Sequence, residues 1–105
     1  MTKHPDTEAF DNALKALANP VRRKILAALK EPAQNFPGQD YPYEFGVCAG
    51  KIEASCGLSQ STVSAHLAVM HQAGLLNTKK IGQWVFYTRN EAAIAMFLGQ
   101  MKDLL

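Results

Sequence analysis

The sequence is poor in cysteine and lacks the motifs that mark several large classes of protein. Its 105 residues include two cysteines, too few for a disulfide scaffold, and no apolar segment of the signal-peptide kind follows the N-terminus. No apolar run approaches the length of about 18 residues that a transmembrane helix needs. A Gly-rich phosphate loop, a Gly-x-Ser-x-Gly elbow and a His-Glu-x-x-His pattern are also missing. We therefore expect a cytoplasmic protein without a membrane partner, and the sequence does not indicate an enzyme.

The charge of the chain is close to balanced. Eleven Lys and Arg residues face nine Asp and Glu residues, which gives a formal net charge of +2, and 48% of the residues are hydrophobic. This composition is typical of one compact globular domain, here residues 1–105, rather than of a disordered chain. A small positive excess permits a nucleic-acid partner without requiring one, because the distribution of charge matters more than its sum.

Apolar residues at helical spacing predict a mainly α fold (α+β) with a helix near each end. The first helix covers about 6–18 and the last about 91–105. Between the first helix and a second one, which runs to about Lys30, Asn19 supplies an N-cap and Pro20 the first helical position. The second helix places Val21, Ile25, Leu26 and Leu29 inward.

The apolar stripe of the last helix is too apolar for the end of a small monomer, and we expect it to form a dimer interface together with the first helix. Packing within one chain is the alternative. The candidate interface residues are Phe10, Leu14, Leu17, Ile94, Phe97, Leu98, Met101 and Leu105.

Residues 31–47 form a long segment in which prolines and glycines exclude a continuous helix. We expect this segment to lack regular structure, although it exceeds the usual loop length of about 12–15 residues. It carries four of the aromatic residues, so we expect it to pack on the body of the protein; a pocket for a flat organic ligand is the alternative. These aromatic residues are Phe36, Tyr41, Tyr43 and Phe45.

A helix-turn-helix is predicted over about 48–73, followed by a β-hairpin over about 75–89. A short helix ends at Gly57, Leu58 is expected to be a buried turn residue, and Ser59 caps the next helix, about 60–73. That helix turns a stripe of Val63, Leu67 and Met70 inward. The hairpin consists of strands 75–81 and 84–89 around Gly82 and Gln83, which makes the motif a winged helix.

The outer face of helix 60–73 is small and rich in hydroxyl groups, so it suits a major groove about 12 Å wide. Lysines near the hairpin tip suit phosphates or a neighbouring minor groove. The predicted DNA-binding residues are Ser59, Gln60, Ser61, Thr62, Ser64, His66, Lys79, Lys80, Gln83 and Arg89. Each feature alone has a structural explanation, as a helix cap or a solvated strand edge, but their order along the chain favours a sequence-specific DNA-binding protein.

Several motifs together resemble the ArsR/SmtB family of bacterial winged-helix repressors. They are LKALANPVRRKILAAL at 14–29, LSQSTVSAHL at 58–67, AGLL at 73–76 and VFYT at 85–88. The resemblance implies a homodimeric transcriptional repressor that binds an inverted-repeat operator in double-stranded DNA and is released by an effector. One departure is Ala65, where the family often has a basic residue.

The metal-binding pattern of the family is degenerate in this chain. Relatives bind metals or arsenicals through a Cys-x-Cys-Asp run, and here Cys48 is followed by Gly50 and Lys51 at the corresponding positions. One thiolate does not hold a soft metal, which takes three or four ligands. The family's other site, on the last helix, lacks its histidine here, and the only acids on that helix are Glu91 and Asp103. We expect no metal site and no cofactor.

Other effectors remain open: an oxidant that reacts with Cys48 and Cys56, a small organic molecule, or none. A helix would separate these cysteines by about 12 Å, whereas a disulfide needs Cα atoms within about 7 Å, so an intramolecular bridge would require local unwinding. Cys48 lies near Lys51 at a helix start, which favours it as the reactive thiol; Cys56 also fits a small core residue. Two functions compete with DNA binding: a winged-helix module that docks another protein, and a thiol enzyme around Cys48, for which no base at fixed spacing is found.

Overall fold

The computed structural model describes residues 5–105, with side chains from Glu8 onward. Within this range the chain forms helices, one 3-10 turn and three strands. In chain order they are α1 (Pro5–Leu17), α2 (Pro20–Ala28), α3 (Pro32–Asn35), the 3-10 turn (Tyr43–Phe45), β1 (Val47–Cys48), α4 (Ala49–Cys56), α5 (Gln60–Gln72), β2 (Leu76–Ile81), β3 (Trp84–Arg89) and α6 (Glu91–Leu104). None of the described helices is both long enough and apolar enough to span a bilayer.

The predicted junction between α1 and α2 is confirmed. Oδ1 of Asn19 accepts hydrogen bonds from the backbone N–H groups of Val21 (2.8 Å) and Arg22 (3.2 Å). Pro20 occupies the first turn, where a missing N–H costs nothing. The cap fixes where α2 begins, and the helix then buries Ile25 and Leu26 as predicted.

The core consists of two clusters that meet at α6 and at the end of α1. The larger cluster joins α2, α4, α5 and the sheet, and its buried residues are Ile25, Leu26, Leu29, Phe36, Val47, Ile52, Val63, Leu67, Met70 and Leu76. The smaller cluster joins the terminal helices through Phe10, Ala13, Ala16, Leu75 and Phe97. Phe10 and Phe97 stack with ring centroids 5.1 Å apart, so these two side chains are buried within the protomer.

The wing is a three-stranded antiparallel sheet in the order β1-β3-β2, not a hairpin alone. The hairpin is confirmed, with Ile81 opposite Trp84 and a turn in which Gly82 has a φ of 60°. Strand β1, which has two residues and pairs Val47 with Tyr87, was not predicted. Gly46 permits this pairing, because its φ is 109° and a Cβ there would lie 2.6 Å from the carbonyl oxygen of Tyr87.

The prediction that residues 31–47 lack regular structure is wrong in part, since the segment contains α3, the 3-10 turn and the start of β1. The prediction that it packs on the body is confirmed: Phe36 is buried in the larger core cluster, and Tyr43 packs partly against that cluster. Gln39 ties the segment together. Its Nε2 donates to the carbonyls of Tyr41 (3.1 Å) and Gly46 (3.0 Å), and its Oε1 accepts from the backbone N–H of Cys48 (2.9 Å).

The turn of the helix-turn-helix differs from its prediction at one residue. Gly57 ends α4 with a left-handed φ of 66°, as expected, but Leu58 is 42% exposed rather than buried. Apolar character alone does not tell which apolar residue of a turn reaches the core. Here Ile52 of α4 and Val63 of α5 belong to the larger core cluster, whereas Leu58 does not.

Candidate nucleic-acid interface

Helix α5 begins at a well-formed cap that leaves its first turn facing solvent. Oγ of Ser59 accepts a hydrogen bond from the backbone N–H of Thr62 (3.2 Å) and lies 2.7 Å from the Thr62 hydroxyl. The remaining N–H groups of the first turn have no partner inside the helix, and the helix dipole favours negative charge at this end. The first turn of α5 is therefore suited to a phosphate oxygen.

The two faces of α5 have opposite character. Val63, Leu67 and Met70 are buried. The predicted contact residues Gln60, Ser61, Thr62 and Ser64 are exposed, and so are the small side chains of Ala65 and Ala68. The buried stripe fixes the rotation of the helix, so the polar face projects from the protein without large side chains that would hold a duplex away. No Lys or Arg lies on α5 itself.

His66 is half-buried and braces α5 against α2. Its Nδ1 lies 3.2 Å from Nη1 of Arg22, whose Nε donates to the Ala16 carbonyl at 2.7 Å. A guanidinium has only donors, so this hydrogen bond requires Nδ1 of His66 to be the acceptor. The contact links the end of α1, the start of α2 and the middle of α5, so His66 has a structural partner in addition to its predicted place at the DNA surface.

The wing presents cations that are supported by aromatic rings. Lys79, Lys80 and Gln83 are exposed, as predicted. Nζ of Lys79 lies 4.7 Å from the ring centroid of Phe45, a cation–π distance. This contact of Phe45 with the wing was not predicted, because it joins segments far apart in the chain.

Beneath Lys79 four aromatic rings form one cluster, which we call the wing aromatic cluster: Tyr41, Phe45, Trp84 and Phe86. The ring centroid of Tyr41 lies 5.2 Å from that of Phe86 and 6.4 Å from that of Trp84, and Phe45 lies 6.0 Å from Phe86. Phe86 is completely buried, while Trp84 is 46% exposed at the wing tip. The cluster therefore holds β3 and part of segment 31–47 together, which favours a packing role for Tyr41 and Phe45 over a ligand pocket.

Arg89 makes its contacts inside the protomer. Its side chain is 11% exposed, and its Nε and Nη2 lie 2.8 and 3.2 Å from the two carboxylate oxygens of Glu91. Nη1 donates to the Leu26 carbonyl at 2.9 Å. The hydrogen bond from Arg89 lowers the pKa of Glu91 below its ordinary value. Arg89 thus ties the end of β3 to α2 and α6 and is set apart from the exposed cations of the wing.

Both cysteines are free thiols and half-buried. Cys48 lies at the junction of β1 and α4, where its backbone pairs opposite Phe86. Cys56 ends α4 and packs partly against the larger core cluster. Among the side chains from Glu8 onward, no three His, Cys, Asp or Glu side chains are grouped so that they could hold a metal ion.

The known proteins to which this chain is similar are transcriptional regulators, as the helix-turn-helix geometry indicates. The family described as "Bacterial regulatory protein, arsR family" matches residues 47–78, the stretch that contains the helix-turn-helix. The chain is 37% identical over 97 residues to YbzH, an HTH-type transcriptional regulator of Bacillus subtilis, covering 87% of this chain and 89% of that one. It is 31% identical over 96 residues to the transcriptional repressor SdpR of Bacillus subtilis, covering 91% and 92%. A solved structure of HlyU from Vibrio cholerae superposes with a TM-score of 0.60 at 28% identity, covering 98% of this chain and all of that one.

Proposed function

Because the chain belongs to the ArsR family of bacterial regulatory proteins and is a DNA-binding transcriptional regulator, we propose that it acts as a homodimeric repressor of an inverted-repeat operator. The observation that carries the proposal is the division of α5 into a buried stripe and an exposed face of small polar side chains. In a dimer, two such helices about 34 Å apart would enter successive major grooves on one side of the duplex.

The two parts of the interface would read DNA differently. Gln60, Ser61, Thr62 and Ser64 would contact base edges and nearby phosphates, because hydroxyl and amide groups both donate and accept hydrogen bonds. Lys79 and Lys80, with Gln83 between the strands, would contact phosphates beside the half-site. Ser59 would act mainly as the helix cap, and Arg89 and His66 mainly within the protomer, since each already has partners there.

Exposed apolar side chains on the terminal helices support the dimer. From the predicted set, Leu14 of α1, Leu98 of α6 and Leu105, which follows α6, are exposed, Leu98 by 59% and Leu105 by 97%. Met96 and Leu104 of α6 are exposed as well. Leu98 and Leu105 are seven residues apart, so helical spacing places them on one side, and an exposed apolar patch commonly marks a protein interface. Phe10 and Phe97, which stack within the protomer, would support that interface from beneath.

The dimer is tested by Leu98→Glu, with Ala33→Glu on α3 as a charge-matched control. A charge placed in an apolar interface is costly to desolvate. We expect sedimentation equilibrium to give a dimer for the unchanged protein and the control, and a monomer for Leu98→Glu with a much weakened affinity for an operator selected from random duplexes. An unchanged protein that is monomeric, or a monomeric variant that binds DNA as well as the dimer does, would contradict the scheme.

The DNA-binding face is tested by Ser61→Glu, with Gln72→Glu in the last turn of α5 as the control. A carboxylate suits the first turn of a helix, so Ser61→Glu should fold normally, yet it would repel phosphates. We expect at least a tenfold loss of affinity, roughly 1.4 kcal/mol, for Ser61→Glu alone, measured by fluorescence anisotropy with the selected operator. Equal affinity of the two variants would place the interface elsewhere.

Effector release would require a ligand whose affinity differs between two dimer geometries, because only such a ligand shifts the equilibrium between them. Rotation of one subunit against the other would change the spacing of the two α5 helices. The degenerate metal pattern at Cys48, Gly50 and Lys51 favours a non-metal signal. An operator-bound sample challenged in turn with an oxidant, with organic acids and with divalent metals would identify the class by release of the DNA.

A further inference from the structure

We infer that a groove between α2 and the turn of the helix-turn-helix binds a small amphipathic carboxylate. The groove has a volume of about 360 Å³. Its apolar lining comes from α2, from segment 31–47 and from the turn: Val21, Ile25, Ala28, Phe36 and Leu58. This size falls in the range of roughly 300–1,000 Å³ that is usual for small-molecule sites, and the mainly apolar lining with a few polar groups is typical of them.

The positive charge that lines the groove favours an anionic ligand. Lys24 is its sole charged lining residue, and within the described part of the chain its ammonium group forms no ion pair. Two other polar side chains of the lining already have partners: the Asn35 amide donates to the Ala28 carbonyl (2.9 Å), and the Ser55 hydroxyl donates to the Ile52 carbonyl (2.8 Å). Lys24 is therefore the cationic donor at the groove, placed to meet a carboxylate whose apolar body lies along Ile25 and Leu58.

The exposed side chain of Leu58 favours a ligand with an apolar body. It is the exposed leucine that was expected to be buried, and at 42% exposure it loses contact with water if a ligand covers it. Burial of apolar surface contributes about 25 cal/mol per Å². An aromatic or short aliphatic body is thus favoured over a purely polar anion such as inorganic phosphate.

The groove adjoins the elements that set the position of α5. Leu58 directly precedes the Ser59 cap, and α2 contacts α5 through Arg22 and His66. A ligand held between α2 and the turn would shift the start of α5 relative to α2. This link to DNA binding rests on the function proposed above, whereas binding in the groove does not, so the two are measured separately.

The probe for the site is 4-phenylbutyrate, compared with its neutral amide. We expect saturable NMR shift changes at the backbone amides of Ala28 and Leu58 with the carboxylate, and binding at least about tenfold weaker for the amide and for Lys24→Met, since a charge-assisted hydrogen bond is lost in each case. Lys30→Met, which removes a cation of the same region that does not line the groove, should bind as the unchanged protein does. Absence of saturation, or equal binding of carboxylate and amide, would overturn the inference.

A second readout uses Cys56, which lies in the groove wall. In a Cys48→Ser background, 4-phenylbutyrate should slow alkylation of Cys56 by iodoacetamide, and Lys24→Met should remove that protection. Unchanged alkylation at saturating probe would show that the molecule binds elsewhere and would overturn the assignment. Protection without any change in operator affinity would keep the site and reject only its link to DNA release.

Discussion

The recognition helix and the wing are built in different ways, although both face the proposed DNA surface. Helix α5 is held from below by its own buried stripe, Val63, Leu67 and Met70, and is started by its own cap at Ser59. The wing depends on a distant segment, because Tyr41 and Phe45 pack on Phe86 of β3. The start and rotation of α5 therefore follow from its own sequence, although its buried stripe packs on α2, α4 and β2, whereas the wing also requires contacts with segment 31–47.

The largest loss of stability is expected when the ring at the centre of the wing aromatic cluster is removed. Phe86→Ala deletes a completely buried ring, and such changes cost about 3–5 kcal/mol. We expect urea denaturation to show that loss in the free energy of unfolding. Trp84→Ala, at the half-exposed edge of the same cluster, should cost distinctly less. If both variants lose equal stability, the ring of Phe86 is not the centre of the cluster.

A pair of variants distinguishes the proposed phosphate contacts of the wing from the proposed base contacts of α5. Lys80→Gln should weaken binding to all duplexes and reduce the slope of log K against log salt by about 0.9, because one phosphate contact is lost. Ser64→Ala should leave that slope unchanged and relax the preference at one base position instead. Anisotropy titrations across a salt series, on the selected operator and on single-base variants of it, measure both. A slope change for Ser64→Ala would assign it to the phosphates.

The dependence of the wing on segment 31–47 is tested by Phe45→Leu, which keeps an apolar side chain and removes the ring beneath Lys79. An exposed cation–π contact contributes about 0.5–1 kcal/mol, so we expect a two- to fivefold loss of DNA affinity. Trp84, the single tryptophan of the chain, reports the same change through its emission and anisotropy. Full affinity with altered Trp84 emission would mean that the ring orders the wing without serving DNA binding.

The smallest expected effect concerns the ion pair at the end of β3. Arg89 lowers the pKa of Glu91 below its ordinary value of 4.5, so the pair stabilises the fold above that pH and the contribution is lost as the pH falls through the lowered value. Glu91→Gln should therefore lower the urea midpoint slightly at pH 7 and by less at pH 2.5. A larger difference at the acidic pH would reverse the assigned sign.

The parts of the fold that follow from neighbouring residues were predictable. Asn19 and Pro20 define a helix junction, Ser59 defines the start of α5, and Gly82 with Gln83 defines the hairpin, since each signal acts within a few residues. The buried stripe of α5 follows in the same way from the helical period. These signals also located the face on which the candidate contact residues lie.

The features that could not be predicted depend on contacts between distant segments of the chain. β1 is two residues long and carries no alternation; it exists because Gly46 lets the chain approach Tyr87. Arg89 was predicted to contact DNA because it lies in the second strand of a basic hairpin, and its partners Leu26 and Glu91 become visible only in three dimensions. The exposure of Leu58 likewise depends on which side chains of α4 and α5 pack in the core, where Ile52 and Val63 lie.

The close approach at Gly46 has a consequence for protein engineering. Because even a methyl group at this position would strike the backbone of β3, residues 36–48 could be grafted as a unit onto another winged scaffold only together with that glycine. A saturation library at position 46, sorted for folded protein, should return the wild-type codon almost alone, while neighbouring Glu44 should accept many replacements.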